Sequence, residues 1–416
     1  MMFAEYPCNL FGKVVTAMGT FYQEALHIQE RIHETRVWLH RHPELGLDLP
    51  ETAAYVENRL KELGYTPRRL GRCGIVAQLG KPGGKCILLR ADMDALPVEE
   101  QTELSCRSTN GNMHACGHDC HTAALLGAAQ LLKAHEAELD GMVKLMFQPA
   151  EETMDGGKMM LEAGILENPT VDAAFSLHVF PNLPMKPGTL LLPGTAAGFA
   201  AVDWFTIRIQ GKGSHGAQPH NGVDPLNVMS HIHLALQAIN ARETDPCQPL
   251  VLTIGQMHGG STSNVIPSEA TMSGTIRTLS SNVRNRVKTR MEALVTATAA
   301  AFGAKAWVEY GSGCPPLKQD KALYARIKDI CGNLDGIDVM DANQWGLPAS
   351  GGMGSEDFSH IAERVPAVFA IVAAGRPEDG YVYPVHHPNA CFDTAALPAA
   401  AAIYAHIAAH WLKQAD

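Results

Sequence analysis

The sequence predicts an α/β protein that carries a complete, smaller ferredoxin-like α+β unit inside it. Three observations lead there. Up to about Gly194, apolar strand patterns alternate with helical ones, as in an α/β unit. Between Ala201 and Tyr310 the order becomes β-α-β-β-α-β, the ferredoxin-like arrangement. After that the α/β pattern resumes and runs to the end of the chain. A chain of 416 residues has room for two or three compact units.

The elements follow in order. Phe21–Arg41 is helical, with Leu26, Ile32, Val37 and Leu39 as apolar positions and Pro43 after its end. A second helix runs from about Pro50 to Leu63 and stops at Gly64. Gly74–Leu79 and Lys85–Arg90 are buried-strand patterns, the latter continuing into Ala91-Asp92-Met93-Asp94. Asp119 reads as the cap of a helix reaching about His135. Strands follow at residues 143–148, ending at Pro149, and at Ala173–Val179. In the inserted unit, Ala201–Gln210, Leu250–Met257, Glu269–Leu279 and Ala304–Tyr310 are strands, and Asp224–Ala241 and Asn282–Phe302 are helices. The resumed pattern gives a helix near Lys321–Cys331, a strand Ala367–Ala373 and a closing helix Thr394–Leu412.

Composition narrows the function classes. With 46% hydrophobic and 18% charged residues the chain is ordinary globular protein. The formal charge is −10, and no basic cluster stands out, which argues against nucleic acid and anionic membrane as partners. Ten cysteines are scattered without a CxxC pair, as expected of a reducing, cytoplasmic setting rather than a disulfide scaffold. The start of the chain, interrupted by Glu5, Cys8, Asn9 and Lys13, does not read as a signal peptide, and no apolar run is expected to reach membrane-spanning length.

Four short segments carry metal-ligand chemistry. In the first, Cys116 and His118 are two residues apart, a spacing that in extended backbone points both to one side. Alone, it does not decide between a ligand pair and polar residues lining a helix start. In the second, Glu151 and Glu152 follow an apolar strand, at the edge where open α/β sheets bind ligands. The third is His178 at another strand end, and the fourth is His386-His387 in a late loop. Each is weak by itself. Together they offer thiolate, imidazole and carboxylate, a set suited to Zn, Mn, Co or Ni and too soft for a dedicated Ca or Mg site. Ligands spread along the chain point to a catalytic site assembled by the fold, not to a local zinc clip.

As an ordered set, several motifs resemble the M20 metallopeptidase family in its amidohydrolase branch, which includes hippurate hydrolases, N-acyl-amino-acid amidohydrolases and auxin-conjugate hydrolases. They are His40-Arg41-His42-Pro43-Glu44-Leu45-Gly46, the Arg90–Pro97 segment, the Cys116-Gly117-His118 segment, Pro149-Ala150-Glu151-Glu152, Gly211-Lys212-Gly213-Ser214-His215, Asn264-Val265-Ile266-Pro267, Gly274–Thr278 and Gly354–Phe358. The resemblance covers nearly the whole chain. It implies a two-domain protein: a mixed-sheet α/β catalytic domain from residues 1–196 and 313–416, and a lid and dimerisation domain at 197–312. By the same resemblance, two divalent metal ions are held by Cys116, His118, Glu152, His178 and His386, with Cys116 bridging. Glu151 becomes the general base, His215 and Asn264 oxyanion donors that can enter a partner subunit's site, and Arg277 the residue that binds the substrate carboxylate. Many relatives place a His near the position of Asp92 and an Asp where this chain has Cys116. Here His118 stands in for that His, and Asp92 and Asp94 are left to orient a ligand.

The implied activity is hydrolysis of the amide of a small N-acyl amino acid by a homodimer, with a tetramer left open. A dipeptidase or carboxypeptidase of the same family is the alternative. Two readings of other classes remain: a cysteine nucleophile built from Cys116, His118 and Asp119, and a metal-loaded binding protein without catalysis.

Overall fold

The computed structural model describes residues 20–194, 198–342 and 352–413. Helices α1 (Phe21–His27) and α2 (Gln29–Arg41) replace the single expected helix, broken at Ile28, whose backbone leaves the helical region. The break turns Leu26 outward, and the buried face is Ala25, Ile32, Thr35, Arg36 and Leu39. Helix α3 (Pro50–Glu62) has proline in its first turn and ends before Gly64, whose φ of +80° only glycine adopts freely. Strands β1 (Arg68–Leu70), β2 (Gly74–Gly80) and β3 (Lys85–Asp92) follow.

Helix α4 (His118–Ala134) starts two residues earlier than expected. Its cap is Gly117 at φ 86°, not Asp119. Asp119 lies inside the first turn; its buried Oδ2 meets Arg36 and His40, each at 2.8 Å, while its Oδ1 accepts Cys120 N–H at 2.9 Å. Strand β4 (Gly141–Gln148), helix α5 (Gly156–Glu162), and strands β5 (Ala173–Phe180) and β6 (Leu190–Leu192) complete the first segment.

The inserted unit contains β7 (Ala201–Gln210), a short β8 (Ser214–His215), α6 (Pro225–Ala238), β9 (Leu250–Gly259), a short β10 (Val265–Ile266), β11 (Glu269–Thr278), α7 (Ser281–Ala301) and β12 (Lys305–Cys314). Asp224 caps α6 through Leu226 N–H, and Ser280 caps α7 through Val283 N–H. The chain returns through α8 (Lys321–Cys331), β13 (Val339–Asp341), α9 (Ser359–Ala362), β14 (Ala367–Ala373) and α10 (Leu397–Leu412).

Among the described residues, strands from both chain segments form one eight-stranded sheet in the order β1-β2-β4-β3-β5-β14-β6-β13. The sheet is mixed. β3, β4, β5 and β14 run parallel to one another, while β2 opposes β4 and β6 opposes β14. Side chains alternate along β3: Ile87 and Leu89 join the core under α4 and α10, while Leu88 packs with Met146 and Phe369 on the other face. Each such buried side chain contributes about 1.5–3 kcal/mol. The segment Thr394–Leu412 is long and apolar enough to cross a membrane, contrary to expectation. It is 89% buried and serves as the central core helix, covered by α1, α4 and α8.

The inserted unit has its own four-stranded antiparallel sheet, ordered β12-β7-β11-β9, as the ferredoxin-like pattern requires. One face packs on α6 and α7 through Phe205, Ile207, Ile209, Val287 and Met291. The other face carries Trp204, Thr206 and Arg208, and among the described residues no helix packs over it.

Candidate metal centre

Because β3, β4 and β5 are parallel, their carboxyl ends share one edge of the sheet. Asp92, the turn after Gln148, and His178 therefore meet there, and the start of α4 brings Cys116 and His118 alongside. Cys116 Sγ lies 3.3 Å from His178 Nε2. His178 Nδ1–H donates to Val179 O at 2.7 Å, which leaves Nε2 as a bare lone pair. His118 is oriented in the same way: Nδ1–H donates to Asp94 O at 2.9 Å, and Nε2 is buried without a hydrogen-bond partner. From that nitrogen, Glu152 Oε1 is 3.9 Å and Glu151 Oε2 4.0 Å away. His386 Nε2 approaches Glu152 Oε1 at 3.4 Å.

Of the groups of side chains whose ligand atoms close within 4.8 Å, two triplets consist of the expected ligands alone: Cys116, His118 and His178, and Cys116, Glu152 and His386. Cys116 belongs to both. A buried imidazole nitrogen and a buried carboxylate oxygen, Glu152 Oε1, both without a hydrogen bond, are costly unless something positive sits between them. The donor set thus fits divalent ions, with the thiolate common to two positions. The site's own charge points the same way. Burial and the carboxylates of Glu152, Glu151 and Asp92 push the Cys116 thiol well up. His118 is pushed up to about 10: burial lowers it, but Asp92, Asp94 and Glu152 over-compensate. His178, buried beside His121, is held well below its ordinary value, the neutral state a ligand needs.

His121 also lies in this cluster but is fully used. Val179 N–H donates to its Nε2 at 2.8 Å, so Nδ1 carries the proton and gives it to Asp92 Oδ1 at 2.6 Å. Asp92 Oδ2 meets Arg90 at 2.7 Å, so this aspartate is held from two sides. Asp94 accepts the N–H groups of Glu151 and Glu152, fixing a turn in which Ala150 has φ +58°. Arg90 is buried and uses all five donor hydrogens, on Gln148, Asp92, Asp357 and, twice, Glu356. The carboxyl groups of Glu356 and Asp357 lie within 4.8 Å of that of Glu151. Burial and these two carboxylates, with Glu152, hold the Glu151 carboxyl well above the usual range, and Arg90 opposes them.

A cavity of about 420 Å³ joins the two units. Its walls include Cys116, Glu151, Glu152, His178 and His386 from the large unit, and Trp204 and Arg277 from the inserted one. Arg277 donates to Met353 O at 2.8 Å and Ser355 Oγ at 3.1 Å. His215 and Asn264 are brought together, their strands paired by Gly216 N–H to Asn264 O at 2.8 Å. Both are exposed, and neither is among the residues lining this cavity.

The family model for peptidase family M20/M25/M40 matches residues 88–410. The chain belongs to that family. Among its relatives, an N-acetyl-L-cysteine deacetylase of Bacillus subtilis is 41% identical over 89% of this chain and 85% of its own length. The IAA-amino acid hydrolase ILR1-like 4 of Arabidopsis thaliana is 36% identical over 95% and 87%. Among solved structures, the YxeP protein of Bacillus subtilis, described as a dinuclear metal-binding peptidase of family M20, superposes with a TM-score of 0.73 at 32% identity, covering 93% of this chain and 99% of that one.

Within this M20 hydrolase, Cys116, His118 and Asp119 do not form a nucleophile, base and orienting acid. Asp119 faces Arg36 and His40, and a thiol whose proton is held this firmly is a poor nucleophile. His121, Arg90, Glu356 and Asp357 lie in segments the sequence singles out, but the sequence assigns none of them a role in the site. One signal was present: an arginine directly after the apolar run Cys86–Leu89, in the same strand, needs buried partners.

Proposed function

We propose that this M20 hydrolase cleaves the amide bond of N-acyl amino acids, releasing a carboxylic acid and a free amino acid. The observation that carries this reading is a single cavity lined by both the Cys116 ligand cluster and Arg277. An uncharged acyl amide beside a free carboxylate matches those two features. The relatives' names, a deacetylase of N-acetyl-L-cysteine and a hydrolase of IAA–amino acid compounds, support it.

Cys116, His118, Glu152, His178 and His386 would hold two divalent ions, of Zn, Mn, Co or Ni, which supply Lewis acidity toward the scissile carbonyl and the attacking water. Glu151 takes the water's proton and returns it to the leaving amine nitrogen. Its raised proton affinity suits both transfers. Arg277 pairs with the substrate carboxylate, and its tie to Met353 O and Ser355 Oγ steadies the guanidinium. His215 and Asn264, exposed and adjacent, are suited to reach the cavity of a second subunit in a homodimer, or a tetramer, as donors to the developing oxyanion.

The test is a hydrolysis screen after chelation and reconstitution with each metal. Acetyl, benzoyl and indoleacetyl amino acids are expected to be cleaved, with free amino acid released. Cleavage confined to unacylated dipeptides would assign a peptidase specificity instead. No turnover by metal-loaded protein would leave a binding role. Activity that survives EDTA but not iodoacetamide would restore the cysteine nucleophile.

A further inference from the structure

A second cavity, of about 490 Å³, lies on the uncovered face of the inserted sheet, and the mechanism above makes no use of it. Its origin is in the backbone. Gly255 is an extra residue in β9, between the pairs Gln256–Ser273 and Ile254–Gly274. On the opposite edge, Gly311 and Ser312 together face Trp204, between the pairs Tyr310–Phe205 and Gly313–Asp203. A bulge bends its strand and disrupts the local pleat. Two bulges at one level, one on each edge, leave a dent. A Cβ at Gly255 would meet nothing within 4 Å, so the dent is open above that backbone.

The dent adjoins the metal cavity, and Trp204 lines both. Trp204 pairs across the strands with Thr275, two residues before Arg277. Paired residues, and residues two apart, share a face, so Trp204 and Arg277 stand on one face, with backbone positions roughly 7 Å apart along the strand. A substrate whose carboxylate is held at Arg277 therefore has the dent ahead of it, at a distance that only a long side chain spans.

We infer that this dent receives the side chain of the amino acid that is released, and that the enzyme selects long, uncharged side chains there. The inference rests on the reading of Arg277 given above. The lining is an indole face, the Thr275 hydroxyl and the Gln256 amide. Its one carboxylate, Glu309, is already engaged by Arg208 at 2.7 Å and by the Trp307 N–H at 3.0 Å. Aromatic, thioether and amide side chains suit such a surface, and a cationic one gains no free acid.

The experiment compares kcat/KM for the N-acetyl derivatives of alanine, methionine, glutamine and tryptophan in the metal-loaded enzyme and in two variants. Gly255→Leu fills the dent from its open side, and Gln256→Lys places a charge in it. The wild-type enzyme is expected to prefer the three long substrates, and each variant to lower the long-over-short ratio by about tenfold, within the range one pocket contact commands. Unchanged ratios in both variants overturn the inference. So does a change that follows acyl length instead of the amino acid, or a change of oligomeric state at constant ratio, which would make the face a docking surface for a second copy. Failure of the wild-type enzyme to cleave any N-acyl amino acid removes the reading of Arg277 itself, and is seen before a variant is made.

Discussion

Asp94 binds the turn that carries Glu151 and Glu152 through both of its carboxylate oxygens: Oδ1 accepts Glu151 N–H and Oδ2 accepts Glu152 N–H, each at 3.0 Å. The proposed base and the proposed ligand beside it are thus set by one buried side chain 57 residues away from Glu151. Asp94→Asn keeps one acceptor and turns an amide donor toward the other N–H. Asp94→Ala leaves both unsatisfied. Bound metal and kcat/KM are expected to fall in the order wild type, Asn, Ala, by about 10- to 100-fold overall, as for other groups that orient a ligand. Metal analysis together with steady-state kinetics checks this; equal metal content and activity in all three would detach Asp94 from the site.

The architecture was legible because it rests on local periods. Alternation in Ala201–Gln210 and the apolar run in Lys85–Asp92 announce one-sided and two-sided burial without any knowledge of the partners. The three-residue strands Arg68–Leu70, Leu190–Leu192 and Val339–Asp341 are too short to show a period and were missed. Asp119 has the chemistry of a cap and still accepts Cys120 N–H, but the helix begins before it, capped at Gly117, and its other oxygen is taken by Arg36 and His40, contacts that local sequence does not show. Ligand types were legible at strand ends. The contact of Arg90 with Glu356 spans 266 residues and has no local signature.

Glu151→Gln should separate binding from chemistry. The amide keeps the shape and cannot take a proton, so metal content stays at the wild-type value while kcat falls by about 10²–10⁴. Residual activity within tenfold of wild type would assign proton transfer elsewhere. The raised proton affinity of Glu151 has burial as its main cause, then the Glu356 charge.

The two triplets share only Cys116, so the ligands should differ in how many ions each one controls. Cys116→Ser is expected to lower both occupancies. His386→Ala should reduce only the ion shared with Glu152, and His178→Ala only the one shared with His118. Metal per chain, measured by elemental analysis after dialysis at fixed free metal, reads this directly. Equal losses for all three variants would contradict a bridging thiolate.

His40 predicts a pH-dependent contribution to stability. Its Nδ1 faces Asp119 at 2.8 Å and its Nε2 faces Glu100 at 3.1 Å, so the doubly protonated ring satisfies both. Burial and Arg36 lower its pKa, but the two carboxylates win and the folded value lies above the ordinary one. A group whose pKa is raised on folding stabilises fully below its unfolded pKa, about 6.5, and that contribution is lost as pH rises through the folded value. The stability advantage of wild type over His40→Gln, read from denaturant unfolding, should therefore be larger at pH 5.5 than at pH 9. An advantage that grows with pH would refute the assignment.

Arg277 does two things at once, and its variants should tell them apart. The guanidinium ties β11 to the large unit through Met353 O and Ser355 Oγ, and it is proposed to hold the substrate carboxylate. Arg277→Ala removes both functions. Ser355→Ala weakens only the tie, because Met353 O remains an acceptor. Hydrogen bonds to a charged group are worth about 1.5–3 kcal/mol, or roughly 10- to 100-fold in affinity. Arg277→Ala should therefore raise KM by that factor for an N-acyl amino acid and far less for the same compound with its carboxylate amidated. Ser355→Ala should change the two substrates by the same, smaller factor, since it never meets the carboxylate. If Arg277→Ala also affects acid and amide equally, the arginine serves the contact between the two units alone, and the carboxylate must be recognised by another group in the cavity.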